Sequence, residues 1–96
     1  MPVREASIET YLRSRVTDAG GLCVKLNPAS YVGIPDRLVV LPGGWICFVE
    51  VKKPRGGRTG KLQHWWCDRL IELGVRHRFV LTRADVDGMM EDQKNG

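Results

Sequence analysis

The stretch GIPDRLVVLPGGWICFVEVKK, positions 33–53, constrains the fold more than any other part of the chain. Two runs of β-branched, aromatic and aliphatic residues, 38–41 and 45–51, flank Pro42-Gly43-Gly44, which is the pattern of a β-hairpin. A three-residue loop sets Leu41 opposite Trp45, Val40 opposite Ile46, Leu38 opposite Phe48 and Asp36 opposite Glu50. Strand side chains alternate between faces. Asp36, Leu38, Val40, Ile46, Phe48, Glu50 and Lys52 then share one face. Opposed Cβ atoms lie about 4.5–5.5 Å apart. Two carboxylates at that spacing repel unless a cation sits between them, and a divalent metal ion is the candidate. Lys52, two residues past Glu50, reaches the same place. A two-residue loop at Gly43-Gly44 would instead put Asp36 on a face with Val51. Both faces are apolar, so patterning does not choose between these registers. It predicts central strands covered on both sides. Asp36, Glu50 and Lys52 become charges at the edge of a buried sheet, where charges are rare unless paired or metal-bound.

The rest of the chain is short. At 96 residues it is one domain, expected to span 1–92 with a polar tail at 93–96, and its core is small enough that a second copy would add stability. No apolar stretch nears the roughly 20 residues needed to span a bilayer, so no membrane association is expected. The first residues, MPVREASIE, carry early acids and no apolar stretch, so no signal peptide is expected. Cys23, Cys47 and Cys67 form no CxxC pair and sit in apolar runs, which reads as reduced core cysteines in a cytoplasm-like compartment. The net charge of +4 suits a polyanionic partner.

Ile8, Tyr11, Leu12 and Val16 fall on one stripe of a helix over 5–17, which Asp18-Ala19-Gly20-Gly21 ends. Glu5 lies near the inward stripe and Glu9 at its boundary; an acid in a first turn also simply complements the helix dipole. LCVKL, 22–26, is a short strand, and 27–35 is a loop in which Gly33 permits an unusual backbone angle and Pro35 extends Ile34 just before Asp36. Pro54 stops the strand after the hairpin. Residues 55–61, RGGRTGK, form a basic loop that is either a solvated connection or a flap over phosphates. Thr59 is placed to cap a helix running to Leu73 with an apolar stripe of Leu62, Trp65, Trp66, Leu70 and Leu73. Core packing is the expectation for the two tryptophans, with one ring in surplus that another subunit or DNA would suit. RFVL, 78–81, is the fourth strand. Thr82-Arg83-Ala84-Asp85 opens a last short helix through Met90 as a capping box with Asp in place of Glu, and 91–96 reads as a frayed tail. The predicted class is α/β with a mixed sheet, in the order α-β-β-β-α-β-α.

Other chemistry is excluded by spacing. GGRTGKL sits where a P-loop would, but Arg55 stands where the first Gly is needed and Leu62 where Ser or Thr is needed. His64 and His77 have no ligand spacing to any cysteine, so no structural zinc is expected. No Ser or Cys has the surroundings of a nucleophile.

Pro35-Asp36 followed by Glu50-Val51-Lys52 matches the PD-(D/E)XK pattern, which is loose by itself. Its context is tighter. GIPDR, then VVLPGGWICFVEVKKPRGGRTGKLQ, then a helix ending LIELG, resembles the short stand-alone phage and bacterial type of the VRR-NUC family along most of the chain. The resemblance implies a restriction-endonuclease-like αβββαβ core with a short C-terminal helix. It implies a Mg²⁺- or Mn²⁺-dependent endodeoxyribonuclease in the cytoplasm of a bacterial or phage-infected cell, a homodimer cutting branched DNA such as four-way junctions. In that likeness Asp36 and Glu50 hold the metal with the Val51 carbonyl. Lys52 orients or activates the attacking water and stabilises charge on the phosphate, Glu5 acts through the outer shell with Glu9 as its fallback, and Gln63 supports Lys52 or the substrate phosphate. Lys25, Arg37, Lys53, Arg55, Arg58 and Lys61 are the expected DNA contacts. The competing expectation is a DNA-binding module on the same fold that does not cleave, for which an intact Asp36, Glu50 and Lys52 set would be unnecessary.

Overall fold

The computed structural model describes residues 5–27, 29, 31–52 and 60–96, and of Glu5 and Ala6 the backbone alone. The elements run α1 (Glu5–Asp18), β1 (Leu22–Lys25), β2 (Arg37–Leu41), β3 (Trp45–Val51), α2 (Lys61–Glu72), β4 (Arg76–Val80) and α3 (Arg83–Asn95). They build one four-stranded mixed sheet in the order β1-β2-β3-β4, antiparallel except for the last pair. The parallel β3–β4 pair requires a crossover, which α2 supplies.

The hairpin adopts the three-residue loop. Leu41 pairs with Trp45, Val40 with Ile46, Leu38 with Phe48 and Arg37 with Val49. Within the loop Gly43 and Gly44 take φ of 88° and 75°, left-handed angles that other residues adopt only with strain. The strand pairing itself resolves the register. Asp36, one residue before the ladder, therefore comes level with Glu50.

Odd-numbered positions of β2 and β3 form the core. Val39, Leu41, Trp45, Cys47, Val49 and Val51 are buried against Ile8, Leu12 and Val16 of α1 and Val86, Met89 and Met90 of α3. Each such Leu, Ile, Val or Met side chain removed from water contributes about 1.5–3 kcal/mol. The predicted stripe of α1 is this contact, with half-buried Tyr11 donating a hydrogen bond from its hydroxyl to Asp87 Oδ1 of α3 at 2.6 Å.

The even-numbered face departs from the expectation of two covered sides. Leu38, Val40 and Phe48 are only half-buried, and Leu22, Val24 and Ile46 are exposed. α2 is the helix of this face, and it packs on β4 at one side of the sheet, so the β1–β2 side stays open. The apolar stripe expected of α2 is correspondingly incomplete: Leu70 is buried, whereas Leu62, Trp65 and Leu73 are exposed. Gly60 rather than Thr59 precedes the first helical residue, and the Gln63 side chain accepts from the Gly60 N–H at 2.8 Å.

Two further boundaries differ. β4 starts at Arg76, two residues before its apolar run, because the parallel ladder pairs Arg76 with Cys47 and His77 with Phe48. α3 continues through the polar residues to Asn95, carried past Met90 by an Arg78–Asp92 ion pair and by Gln93 donating to the Pro42 carbonyl at 3.2 Å. Its capping box forms as expected: Asp85 N donates to Thr82 Oγ1, and Thr82 N to Asp85 Oδ2. These bonds and the one from Leu81 N hold the Asp85 carboxyl below the usual range, the Leu81 amide contributing most. Cys23, Cys47 and Cys67 are all free thiols, and burial pushes the Cys47 thiol up to about 11.

Candidate active site

The end of β3 carries two charged residues almost wholly out of water, Glu50 at 5% exposure and Lys52 at 7%. A buried charge is strongly unfavourable unless it is paired and hydrogen-bonded. Here Gln63, from the first turn of α2, answers both. Its Nε2 donates to Glu50 Oε2 at 3.0 Å, and its Oε1 accepts from Lys52 Nζ at 3.0 Å. Lys52 Nζ stands 4.0 Å from Glu50 Oε2. One amide thus spaces a carboxylate and an ammonium and fixes the orientation of each. Lys52 Nζ also lies 5.4 Å from the ring centroid of Phe79 on β4, a cation–π contact in a partly desolvated setting.

Asp36 sits where β2 begins. Its Oδ2 accepts from the Val51 N–H at 3.0 Å, which ties the loop residue to the backbone between Glu50 and Lys52. Burial pushes its carboxyl above the usual range, and the negative charge of Glu9 adds to this. The Val51 N–H, Lys52 and Arg37 oppose the rise without cancelling it. The net effect is a carboxyl held toward its neutral form. Among the described residues no three His, Cys, Asp or Glu side chains cluster as a metal site. The donors available are the Asp36 and Glu50 carboxylates and the Val51 carbonyl. All are hard oxygen donors, which fit a Mg²⁺ or Mn²⁺ ion that keeps several waters.

The other residues singled out in the sequence divide. Glu9 of α1 pairs with the Arg37 guanidinium at 3.6 Å and is close enough to act electrostatically on Asp36. The Glu5 side chain lies outside the described residues. Arg37 does not offer itself to a phosphate: it is 7% exposed on the face turned to α1, because its odd position in β2 follows Val39 and Leu41 inward. Its guanidinium pairs with Glu9 there, so its reading as a DNA contact finds no support in this geometry. Lys25 and Lys61 are exposed, and Lys53, Arg55 and Arg58 lie outside the described residues.

Sequence reasoning passed over the aromatic lining on β4. Phe79 pairs with Glu50 and His77 with Phe48, which puts both rings on the Glu50 face. His77 packs edge-on to Phe79 at 4.8 Å, and His64 of α2 lies 5.8 Å from Phe79. Both His77 ring nitrogens are buried without a hydrogen-bond partner among the described residues, and burial holds the imidazole below its usual value. The signal was the alternation in RHRFV, but no local turn sets the register of a parallel strand.

The fold and the sequence both have counterparts among known proteins. A solved structure described as a VRR_NUC domain matches with a TM-score of 0.83 and 33% identity, covering 94% of this chain and 97% of that one. "Putative nuclease p44" from Acyrthosiphon pisum secondary endosymbiont phage 1 is 50% identical over 88 residues, 92% of each chain. The chain belongs to the VRR-NUC family of nucleases. No family sequence model matches it. The mixed sheet with flanking helices matches the VRR_NUC fold, and in this chain Asp36, Glu50 and Lys52 lie where the hairpin opens. No helix among the described residues of this VRR-NUC chain is long and apolar enough to cross a membrane.

Proposed function

We propose that this protein is a Mg²⁺- or Mn²⁺-dependent endonuclease that hydrolyses phosphodiester bonds in branched DNA, such as a four-way junction. The observation that carries the reading is the Glu50–Gln63–Lys52 bridge beside Asp36. A buried carboxylate and a buried ammonium held by one amide are costly to maintain, and a protein that only bound DNA would gain nothing from them. Asp36, Glu50 and the Val51 carbonyl would hold the metal ion. The ion would supply Lewis-acid polarisation of the phosphate and lower the pKa of a water beside it.

The chain's own groups do the rest. Lys52 presents its ammonium to the phosphate oxygen on which negative charge grows, the interaction that matters most when it is stronger in the transition state. Gln63 keeps that ammonium from collapsing onto Glu50. Glu9, held by Arg37, adds negative charge behind Asp36 and so strengthens the site's demand for a cation. Exposed Lys25 and Lys61, with Lys53, Arg55 and Arg58, are the proposed contacts to flanking phosphates.

The open apolar side of the sheet, with Leu22, Val24 and Ile46 exposed, supports a homodimer, which would bring two sites to the two strands of a junction. The kinship with a phage protein supports the cytoplasm of a bacterial or phage-infected cell as its place of action.

The test uses labelled four-way junction, flap and linear duplex with Mg²⁺, Mn²⁺ or EDTA, beside Glu50→Ala and Lys52→Ala. The expected result is metal-dependent cutting of the branched forms that both substitutions abolish. Cutting that survives EDTA or both substitutions would end this reading.

A further inference from the structure

Beside the acid–lysine site stands a group of rings that neither the core nor the proposed chemistry uses. Tyr31, in the loop before Asp36, is 62% exposed, and Trp65 of α2 is 55% exposed. Trp66 lies between them, its ring 6.0 Å from Tyr31 at 80° and 5.5 Å from Trp65 at 89°. The arrangement is held in place. Trp66 Nε1 donates to the Val32 carbonyl at 3.0 Å. Gly33, at φ 85°, lets the loop approach α2 so closely that an added Cβ would stand 2.7 Å from Leu62 Cβ. Rings fixed in this way lose little further freedom when a planar ligand stacks on them.

Position identifies the ligand. Trp66 follows Gln63 by three residues, so it stands about 4.5 Å further along the same side of α2 as the residue that bridges Glu50 and Lys52. Trp65, two residues on, is turned to the outer side and extends the ring group outward from Trp66. Lys61, exposed in the first turn of α2, adds a cation beside the rings. Exposed aromatic faces next to cations and a phosphate-handling site match the pattern by which proteins hold unstacked nucleobases. A continuous duplex offers no free base face, whereas a branch point, flap or single strand does.

We infer that Tyr31, Trp65 and Trp66 form a stacking platform for an unpaired nucleobase adjoining the scissile phosphate, and that it discriminates branched or frayed DNA from continuous duplex. This rests on the proposed nuclease reading for its substrate, and its test separates the two. Full-length protein is titrated in Ca²⁺ with a branched DNA carrying 2-aminopurine at the unpaired position next to the branch, and with a continuous duplex of the same sequence. Tyr31→Ala, Trp65→Ala and Trp65→Phe are run in parallel, with the mass of each variant in solution measured by light scattering. The native protein should quench the fluorophore on binding. Each alanine variant should bind the branched probe about fivefold more weakly or worse, bind duplex within about twofold of native, and keep the native mass. Trp65→Phe should restore most of the loss.

Absence of quenching, or equal losses on both probes, would overturn the platform even if metal-dependent cutting persists. Loss of binding accompanied by a fall in mass would also overturn it and give the patch to contact between copies. Quenching by a protein that cuts nothing in Mg²⁺ or Mn²⁺ would support the platform and sink the nuclease reading alone.

Discussion

Replacing Gln63 with alanine tests the central bridge directly. The side chain makes three hydrogen bonds, to Glu50 Oε2, Lys52 Nζ and Gly60 N. Two of the partners are charged, and such bonds contribute about 1.5–3 kcal/mol each, against about 1 kcal/mol for the neutral one. The full sum is not lost. Glu50 and Lys52 already stand 4.0 Å apart and can close on each other, and water can enter the vacated space. A net loss of about 2–3 kcal/mol is expected, which for a chain of this size lowers the melting temperature by about 10–20 °C. Cleavage should fall further than stability explains, by about 10- to 100-fold, as when an outer partner of a metal site is removed. Circular-dichroism melting, with cleavage rates taken well below the transition, separates the two effects. A double-mutant cycle with Lys52→Met should show coupling of about 0.5–3 kcal/mol. A melting point within about 2 °C of native, together with an unchanged cleavage rate, would refute the argument that the amide holds the site.

Three further outcomes follow from individual groups. The Asp36 carboxyl is raised mainly by burial, so its ionisation costs stability as pH rises from the unfolded-state value through the raised folded value. Asp36→Asn should therefore melt higher than native at pH 7 in EDTA and lose that advantage in acid. Mn²⁺ should raise the melting point of the native protein and leave the variant unmoved. His77 is depressed by burial, so native stability should fall as pH drops through its unfolded-state value near 6.5. His77→Phe should flatten that limb of a stability-versus-pH curve, and it should stabilise at neutral pH by removing two unsatisfied buried nitrogens. Gly33→Ala imposes a left-handed angle on an L-residue, which costs about 1–2 kcal/mol, and drives a Cβ toward Leu62. Its melting point should drop by at least about 5 °C, with Trp66 emission shifting red as the loop leaves α2.

Much of this molecule was legible before folding was considered. The α1 stripe of Ile8, Leu12 and Val16, the Thr82–Asp85 cap and the element order follow from local periodicity and local hydrogen bonding, which neighbouring residues dictate. The hairpin lay at the limit of that reach. Its sequence admitted two registers, and only the ladder of the folded hairpin shows the one that brings Asp36 level with Glu50.

What the chain could not disclose by itself depends on packing between distant elements. The parallel register of β4 brings Phe79 and His77 to the site, and no local turn encodes it. Coverage of the even face depends on where α2 docks, and it docks to one side, leaving Leu22, Val24, Ile46 and Trp65 in water. Arg37 reads as a surface cation until strand parity turns it beneath α1 to meet Glu9. Local sequence determined the elements and put Glu50 and Lys52 on one strand face, and the folded register brought Asp36 to them. Tertiary structure decided which face each charge met, because burial and pairing are set by whichever neighbour arrives from elsewhere in the chain.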